Sequence, residues 1–157
     1  MDVYGKAPTT EAGEHFRNSG SWWYPLAEYC CEVAPEISGR CNDWDPKDGE
    51  EGEGLDAEGA RALAQALEEE LSSGRTAAYA TTRRTALDAV PDIACFICWG
   101  GGWRAQPPVG GPGEFLCNGC KGTGLMRPLE TDCPFTVQHV REFVVFLKSC
   151  GGFDLCP

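Results

Sequence analysis

The sequence predicts a small α+β protein that is mostly helical and has a short β-hairpin in its C-terminal third. The chain has 157 residues, which is the size of one ordinary domain. Apolar residues recur at helical spacing in three segments. Before the last of these segments, cysteine and glycine form the same short pattern twice. These three observations predict the fold class.

The first helix is predicted to begin after Ser21 and to end before Pro35. Residues 1–20 show no clear period and predict either an irregular arm or a short strand around Val3 and Tyr4. Ser21 is a competent N-cap, and Pro25 still falls within the first turn. The apolar positions at helical spacing are Trp22, Leu26, Tyr29, Cys30 and Val33.

An acidic loop and two further helices follow. Residues 38–56 contain four glycines and a dense acidic run, which predicts an exposed loop. Asp56 caps an amphipathic helix that ends at Gly74, and another helix runs from about Thr76 to Ala89. The glutamates at 68–70 oppose the helix dipole, so we expect them to meet solvent or a cation outside this chain.

The tail is predicted to form a helix from Thr136. Gly151 and Gly152 end this helix, and Phe153 can fold back onto it. Its apolar stripe comprises Val137, Val140, Phe143, Val144, Phe146 and Leu147. The predicted organisation is a helical region at 1–94, a cysteine module at 95–130 and a C-terminal helix at 131–157 that packs on the core.

Composition and charge exclude some classes of protein. The chain is 42% hydrophobic, with no apolar run near the ~20 residues that a membrane span needs. The first residues resemble no secretory signal, so a cytoplasmic location is expected. The net charge is −11, and residues 43–70 hold 11 acidic and 2 basic residues. Nucleic-acid binding is therefore disfavoured, and a basic protein surface is the expected partner.

The cysteine pattern provides the main functional prediction. Cys95, Cys98, Cys117 and Cys120 lie in two copies of CxxCxGxG, with 18 residues between the pairs. Two residues between cysteines let one tight turn direct both sulfurs at one ion, and the glycines supply the positive φ that the turn needs. Four thiolates leave no position for water around Zn²⁺. We therefore expect one structural zinc ion per chain, held in a zinc-knuckle β-hairpin.

Other chemistries stay open for the same cysteines. Either pair could be a thiol redox pair, and the set of four could hold an iron–sulfur cluster. A zinc-finger nucleic-acid binder would draw on Arg83, Arg84, Arg104 and Lys121. Because a zinc–thiolate cluster is negative, Lys121, Arg104 and Arg127 are also expected to lie near it.

The doubled pattern resembles the zinc-binding region of DnaJ-type chaperones. That family has four copies of CxxCxGxG holding two zinc ions, and the region handles non-native polypeptides. The two copies here imply one ion, and no His-Pro-Asp tripeptide of a J domain is present. The layout of a cysteine module followed by a single helix also resembles the small bacterial anti-TRAP proteins, which act by binding another protein. The rest of the chain looks like short bacterial or phage proteins.

The six other cysteines and the two histidines carry weaker predictions. Free cysteine is usually a small buried hydrophobe, which is the expectation for Cys30 and Cys150. His15 and His139 are expected at the surface or as caps, since no nucleophile accompanies them. No pair spacing supports a second metal site from Cys30 or Cys31 with Cys41 and His15, or from Cys133, Cys150 and Cys156.

Acidic and aromatic side chains offer two further possibilities. Asp43, Asp45 and Asp48 are out of register for a calcium loop and predict a solvated one. The aromatic residues could form a stacking platform, but they are expected mainly in the core, with Trp99 and Trp103 over the knuckles. The aromatic residues in question are Trp22, Trp23, Tyr24, Trp44, Trp99 and Trp103. The sequence thus predicts a non-enzymatic, zinc-stabilised adaptor or inhibitor that binds a protein, with a thiol redox or chaperone-like protein as the alternative.

Overall fold

The computed structural model describes residues 1–38 and 54–156 of the chain. The chain divides into two compact units. We call Met1–Arg83 with Cys133–Pro157 the helical unit, and Arg84–Asp132 the cysteine unit. The described residues combine α-helices with short antiparallel strands, which is the α+β class that the sequence predicts.

Four helices form in the described parts of the chain, each within one or two residues of a predicted helix. They are α1 (Gly20–Val33), α2 (Ala57–Ser73), α3 (Arg75–Asp88) and α4 (Val137–Ser149). The predicted cap Asp56 accepts a hydrogen bond from the N–H of Gly59 at 2.7 Å. Thr136 likewise accepts from the N–H of His139 at 3.1 Å. Gly74 ends α2 with a φ of 81°, which glycine adopts without strain.

Seven short strands accompany the helices. They are β1 (Asp2–Gly5), β2 (His15–Arg17), β3 (Ile93–Ala94), β4 (Trp103–Arg104), β5 (Phe115–Leu116), β6 (Leu125–Met126) and β7 (Phe153–Cys156). In the helical unit, β1 lies between β2 and β7 in an antiparallel sheet, so Val3 pairs with both Phe16 and Leu155. The short strand expected near Val3 is present, whereas β2 and β7 were not predicted.

The core of the helical unit lies around α4. Val140, Phe143 and Leu147 are almost fully buried, and each such side chain contributes roughly 1.5–3 kcal/mol. Phe153 folds back as predicted and meets the ring of Phe143 at 6.2 Å. Trp23 is also fully buried, with its ring 5.9 Å from that of Phe143. The helical pattern had assigned this inward position to Trp22, which is only half-buried.

The glutamates at the end of α2 have partners inside the chain. Glu68 pairs with Lys148 at 2.9 Å, and Glu70 pairs with Arg75 at 2.6 Å. The expectation that these glutamates meet only solvent or an external cation is therefore wrong for two of the three. The positive side chains offset the unfavourable interaction of these carboxylates with the helix dipole.

The cysteine unit contains two antiparallel strand pairs. Strand β3 pairs with β6, placing Ile93 opposite Met126. Strand β4 pairs with β5, placing Trp103 opposite Leu116. Because β4 and β5 lie between β3 and β6 in the sequence, one pair is nested within the other. The first two cysteines of the pattern lie in the turn between β3 and β4, and the last two lie in the turn between β5 and β6.

Candidate metal centre

The first cysteine pair follows β3 and lies in a tight turn. The N–H of Gly100 donates to the carbonyl of Cys95 at 3.1 Å, and the N–H of Gly102 donates to the Cys98 sulfur at 3.3 Å. Trp99, Gly100 and Gly102 have φ values of 54°, 84° and 77°. Glycine adopts this backbone freely, whereas tryptophan rarely does. The turn thus directs a backbone donor at a sulfur, which favours the thiolate.

The second cysteine pair repeats this geometry closely. Lys121, Gly122 and Gly124 have φ values of 53°, 88° and 77°, which match the first turn to within a few degrees. The N–H of Gly124 donates to the Cys120 sulfur at 3.2 Å. The repeated sequence therefore produces two nearly identical knuckles, each with one hydrogen bond aimed at a sulfur.

Each knuckle packs its last glycine against the backbone of the other. A Cβ on Gly102 would overlap the carbonyl oxygen of Gly122, and a Cβ on Gly124 would overlap the carbonyl oxygen of Gly100. The N–H of Cys95 donates to the carbonyl of Gly124 at 2.8 Å, and the N–H of Cys117 donates to the carbonyl of Gly102 at 2.9 Å. Glycine at these positions is needed for close approach as well as for positive φ.

The four predicted cysteines meet in one buried cluster. Their exposed fractions are 0% for Cys95, Cys98 and Cys117 and 6% for Cys120. All four sulfurs lie within 4.8 Å of one another, and the closest contacts between knuckles are 3.8 Å and 3.7 Å. These distances are far above the ~2.0 Å of a disulfide bond. In the part of the chain that the structure describes, this is the one group of side chains placed to hold a metal ion.

The second cysteine of each pair has a shifted pKa, and the two shifts have opposite directions. Burial raises the pKa of Cys98 to about 11, against the opposing effect of the Gly102 N–H. Burial also raises the pKa of Cys120, but hydrogen bonds from the N–H groups of Gly124 and Gly122 and from the Cys98 thiol outweigh it and lower the value to about 6. Cys120 therefore loses its proton more readily than Cys98, and thiolates are the form that binds metal.

The cations expected near the cluster have different positions. The Arg104 guanidinium donates to the side-chain oxygen of Asn118, which lies between the cysteines of the second knuckle, at 2.7 Å. Lys121 is an exposed part of the same knuckle. Arg127 instead donates to the carbonyl of Leu87 at the end of α3 at 2.6 Å. Its guanidinium therefore caps the C-terminal end of a helix, and the expectation that it lies near the metal site stays a prediction.

The other described cysteines are not part of this cluster. Cys30 and Cys150 are fully buried, as predicted, and burial raises the pKa of each thiol. Cys31 is disulfide-bonded. Cys133 and Cys156 are half-buried in the helical unit. Cys41, Trp44 and the aspartates Asp43, Asp45 and Asp48 lie outside the described residues.

The two histidines differ in their surroundings. His15 stacks on Tyr4 with ring centroids 4.6 Å apart, and its Nε2 lies 2.9 Å from an Asp2 oxygen. His139 is only 8% exposed and packs beside Phe16. The expectation of a surface or capping role is wrong for His139, because the start of α4 turns this side chain inward.

The tryptophans of the cysteine unit are not core residues. Trp99 is 72% exposed and Trp103 is 53% exposed, so the expectation that the aromatic residues lie mainly in the core is wrong for these two. The indole of Trp99 lies against Gly111, where a Cβ would meet ring atoms at 3.4 Å. Sequence spacing alone gave no sign of this exposure, since the apolar pattern of such a short module is the same whether its rings face inward or outward.

Comparisons with protein families, with curated proteins and with solved structures found no match to this chain. Among the described helices, none is long and apolar enough to cross a membrane.

Proposed function

We propose that this protein is a non-enzymatic interaction protein whose binding surface is built around one structural zinc ion. The four buried cysteines would fill all four coordination positions of a tetrahedrally coordinated zinc ion. A closed site of this kind leaves no position for substrate or water, which separates structural zinc from catalytic zinc. The role of the ion would be to hold the two knuckles together.

The spacing of the sulfurs supports a single zinc ion. Zinc–sulfur bonds of about 2.3 Å place the corners of a tetrahedron about 3.8 Å apart. The contacts between knuckles are 3.8 Å for Cys95 with Cys117 and 3.7 Å for Cys98 with Cys120. An iron–sulfur cluster would insert several atoms between the thiolates and need wider spacing. The backbone donors to two sulfurs also fit thiolates that bear charge.

The observation that carries the proposed binding role is the exposed apolar surface of the cysteine unit. Of the 12 large hydrophobic side chains that are exposed among the described residues, nine belong to this unit. They are Ile93, Phe96, Trp99, Trp103, Val109, Phe115, Leu116, Leu125 and Leu129. Concentrated apolar exposure of this kind is typical of a protein interaction site.

Two of these side chains form a defined contact surface. Trp103 and Leu116 are directly opposite each other on β4 and β5, so they share one face of the strand pair. Tryptophan is among the residues that contribute most at protein interfaces. Trp99 adds a second exposed indole, held in left-handed backbone where a smaller residue would be less strained. We infer that the partner presents an apolar surface to this face.

The charge of the chain supports a partner whose apolar surface is surrounded by basic residues. The net charge of −11 would accelerate the approach of a positive surface. The internal partners of Glu68 and Glu70 reduce the field at the end of α2. The acidic residues would therefore act in steering, while the exposed apolar face would provide affinity.

The zinc assignment is tested by metal analysis of matched cysteine variants. We expect about one zinc per chain in purified protein, and its loss in Cys98→Ser, because three thiolates hold the ion less tightly. Cys133→Ser is the control, since Cys133 lies outside the cluster. Iron in the purified protein, or unchanged zinc in Cys98→Ser, would contradict the assignment.

The binding role is tested by affinity capture with matched surface variants. We expect Trp103→Glu to lose a partner that the wild type retains, with capture reduced at least about tenfold for an interface tryptophan. Val145→Glu is the control, because Val145 is an equally exposed apolar residue, at 55%, on α4 in the helical unit. Zinc content should be unchanged in both.

The proposal fails if Trp103→Glu and Val145→Glu retain the same proteins in the same amounts as the wild type. Rapid alkylation of Cys95 or Cys120 in the zinc-loaded protein would favour the thiol redox alternative. The nucleic-acid alternative has little structural support, because Arg83 pairs with Glu28 and Arg84 pairs with Asp88.

A further inference from the structure

The inner strand pair of the cysteine unit has an open edge at β5. The far side of β4 is covered, because the N–H of Gly113 donates to the carbonyl of Trp103 at 3.3 Å. On the same side, the N–H of Ala105 donates to the carbonyl of Gly111 at 2.9 Å. Strand β5 pairs with β4 alone, so among the described residues no strand lies along its other edge.

Leu116 directs its backbone N–H and C=O toward this open edge. The next residue, Cys117, donates its N–H to the carbonyl of Gly102 on the β4 side. Backbone groups alternate in direction along a strand, so those of Leu116 point away from β4. In the part of the chain that the structure describes, neither group makes a backbone hydrogen bond outside the strand pair. An unpaired strand edge is a template for pairing with another chain.

The side chains of β5 do not protect this edge. Phe115 and Leu116 are 54% and 58% exposed, whereas strand edges are usually blocked by charged residues, proline or a covering segment. Strand β6 of the same unit shows such a block. The Thr123 hydroxyl accepts from the N–H of Leu125 at 3.2 Å and lies 3.0 Å from the carbonyl oxygen of the same residue. The apolar edge of β5 is therefore suited to receive a strand.

The distribution of charge makes the cysteine unit the place where two copies of this acidic chain can meet. Arg84–Asp132 contains 4 basic and 5 acidic residues, which leaves 9 basic and 19 acidic residues for the helical unit. The cysteine unit thus carries −1 of the net charge of −11. Bound zinc with four thiolates would add two negative charges, so repulsion between copies is smallest there without being absent.

We propose that β5 pairs antiparallel with β5 of a second copy about a two-fold axis, with Leu116 opposite Leu116 of the partner subunit. Each of these leucines then donates its N–H to the carbonyl of the other. Because Trp103 lies opposite Leu116 within one copy, both residues of both copies share one face of the resulting four-stranded sheet. The dimer therefore doubles the apolar face proposed for protein binding, but it forms without that partner. Each copy uses its single β5 edge, so the assembly closes at two.

The test is a concentration series of the zinc-loaded full chain, followed by sedimentation and by amide hydrogen exchange. Strands of two residues bury little surface, so we expect a weak dimer with a dissociation constant between about 1 μM and 1 mM. The Leu116 amide should become protected as the dimer forms. High salt should tighten the dimer by screening like charges, whereas it should weaken binding of a basic partner. A mass that stays at one copy at about 1 mM, a mass that grows beyond two, or unchanged exchange at Leu116 would overturn the proposal.

Variants at the edge separate strand pairing from other association. Leu116→Pro removes the N–H donor at the edge and should weaken the dimer at least about tenfold. Phe115→Lys keeps the backbone and places like charges on both sides of the axis, so it should weaken the dimer as well. Ala94→Pro is the control, because Ala94 occupies the equivalent position before the first knuckle, on β3. It should leave the dimer within about threefold of wild type.

Trp103→Glu distinguishes this inference from the proposed function. Trp103 lies on β4, away from the axis, so its replacement should leave the dimer within about threefold while the captured partner is lost. Zinc content equal to that of wild type shows that the knuckles of each variant are folded. Losses in Ala94→Pro or Trp103→Glu as large as those in Leu116→Pro and Phe115→Lys would overturn pairing through β5.

Discussion

At the scale of single residues, the glycines of the knuckles are held by two separate constraints. Gly102 and Gly74 have almost the same backbone, with φ values of 77° and 81°. A Cβ on Gly102 would overlap the carbonyl oxygen of Gly122, whereas nothing lies within 4 Å of a Cβ on Gly74. A comparison of these two positions therefore separates backbone strain from close packing.

We expect Gly74→Ala to lower the free energy of unfolding by about 1–2 kcal/mol, the cost of left-handed backbone alone. Gly102→Ala should weaken zinc binding as well, since the added methyl group would push the two knuckles apart. Chelator competition measures zinc affinity, and thermal unfolding measures stability. Equal zinc affinity for Gly102→Ala and wild type would show that the knuckles tolerate the displacement.

His139 predicts a pH dependence of stability. Burial lowers its pKa from 6.5, partly opposed by the attraction of Glu142. The unfolded chain therefore binds a proton more readily than the folded chain below pH 6.5, so the free energy of unfolding should fall as the pH falls from there. His139 lines a cleft at the starts of α1 and α4, and the charged side chains of that cleft are Asp2, Arg17 and Glu142. His139→Phe should flatten this dependence in denaturant titrations, and an unchanged slope would assign it to another group.

At the scale of elements, the two helix caps differ in what their side chains do. Asp56 accepts from the first turn of α2, whereas Ser19 at the start of α1 makes no side-chain cap bond. Asp56→Ala should therefore lower the free energy of unfolding by about 1 kcal/mol, and Ser19→Ala should change it little. Equilibrium unfolding in denaturant measures both. A larger loss for Ser19→Ala would show that its contact with Ser21 stabilises the helix start.

The sequence predicts those elements whose signals are local. Asp56, Thr136 and Gly74 mark helix ends by their own chemistry, and the helices begin and end close to them. Strand β7 could not be predicted, because its four residues show too short an alternation and pair with β1 at the opposite end of the chain. The knuckle spacing likewise identifies the four cysteines but not the packing of Gly102 on Gly122. A cleft at the starts of α1 and α4 is lined by Asn18 and His139, which are 121 positions apart in the sequence, so no local pattern records it.

At the scale of the whole molecule, the two units differ in what holds them together. The helical unit buries an apolar core that draws on α1, α2, α4 and the sheet. In the cysteine unit the buried cluster consists of the four cysteines, with only Ile97 and Met126 packed against it. A module of this size without a larger core generally needs a metal or disulfides to fold. Among the described residues, the cysteine cluster is the place for that metal.

Removal of the metal should therefore unfold one unit and leave the other folded. We expect a chelator to abolish amide protection in β3–β6 while protection in α2 and α4 persists, because their apolar core does not include the cluster. Hydrogen exchange read by NMR or mass spectrometry resolves the two units in one experiment. Alkylation provides a second measurement: the thiols of Cys95, Cys98, Cys117 and Cys120 should react slowly with metal bound and rapidly after chelation. The Cys98→Ser variant should resemble the chelated protein without any chelator present. Loss of protection in α2 and α4 at the same chelator concentration would show instead that the chain unfolds as one cooperative structure.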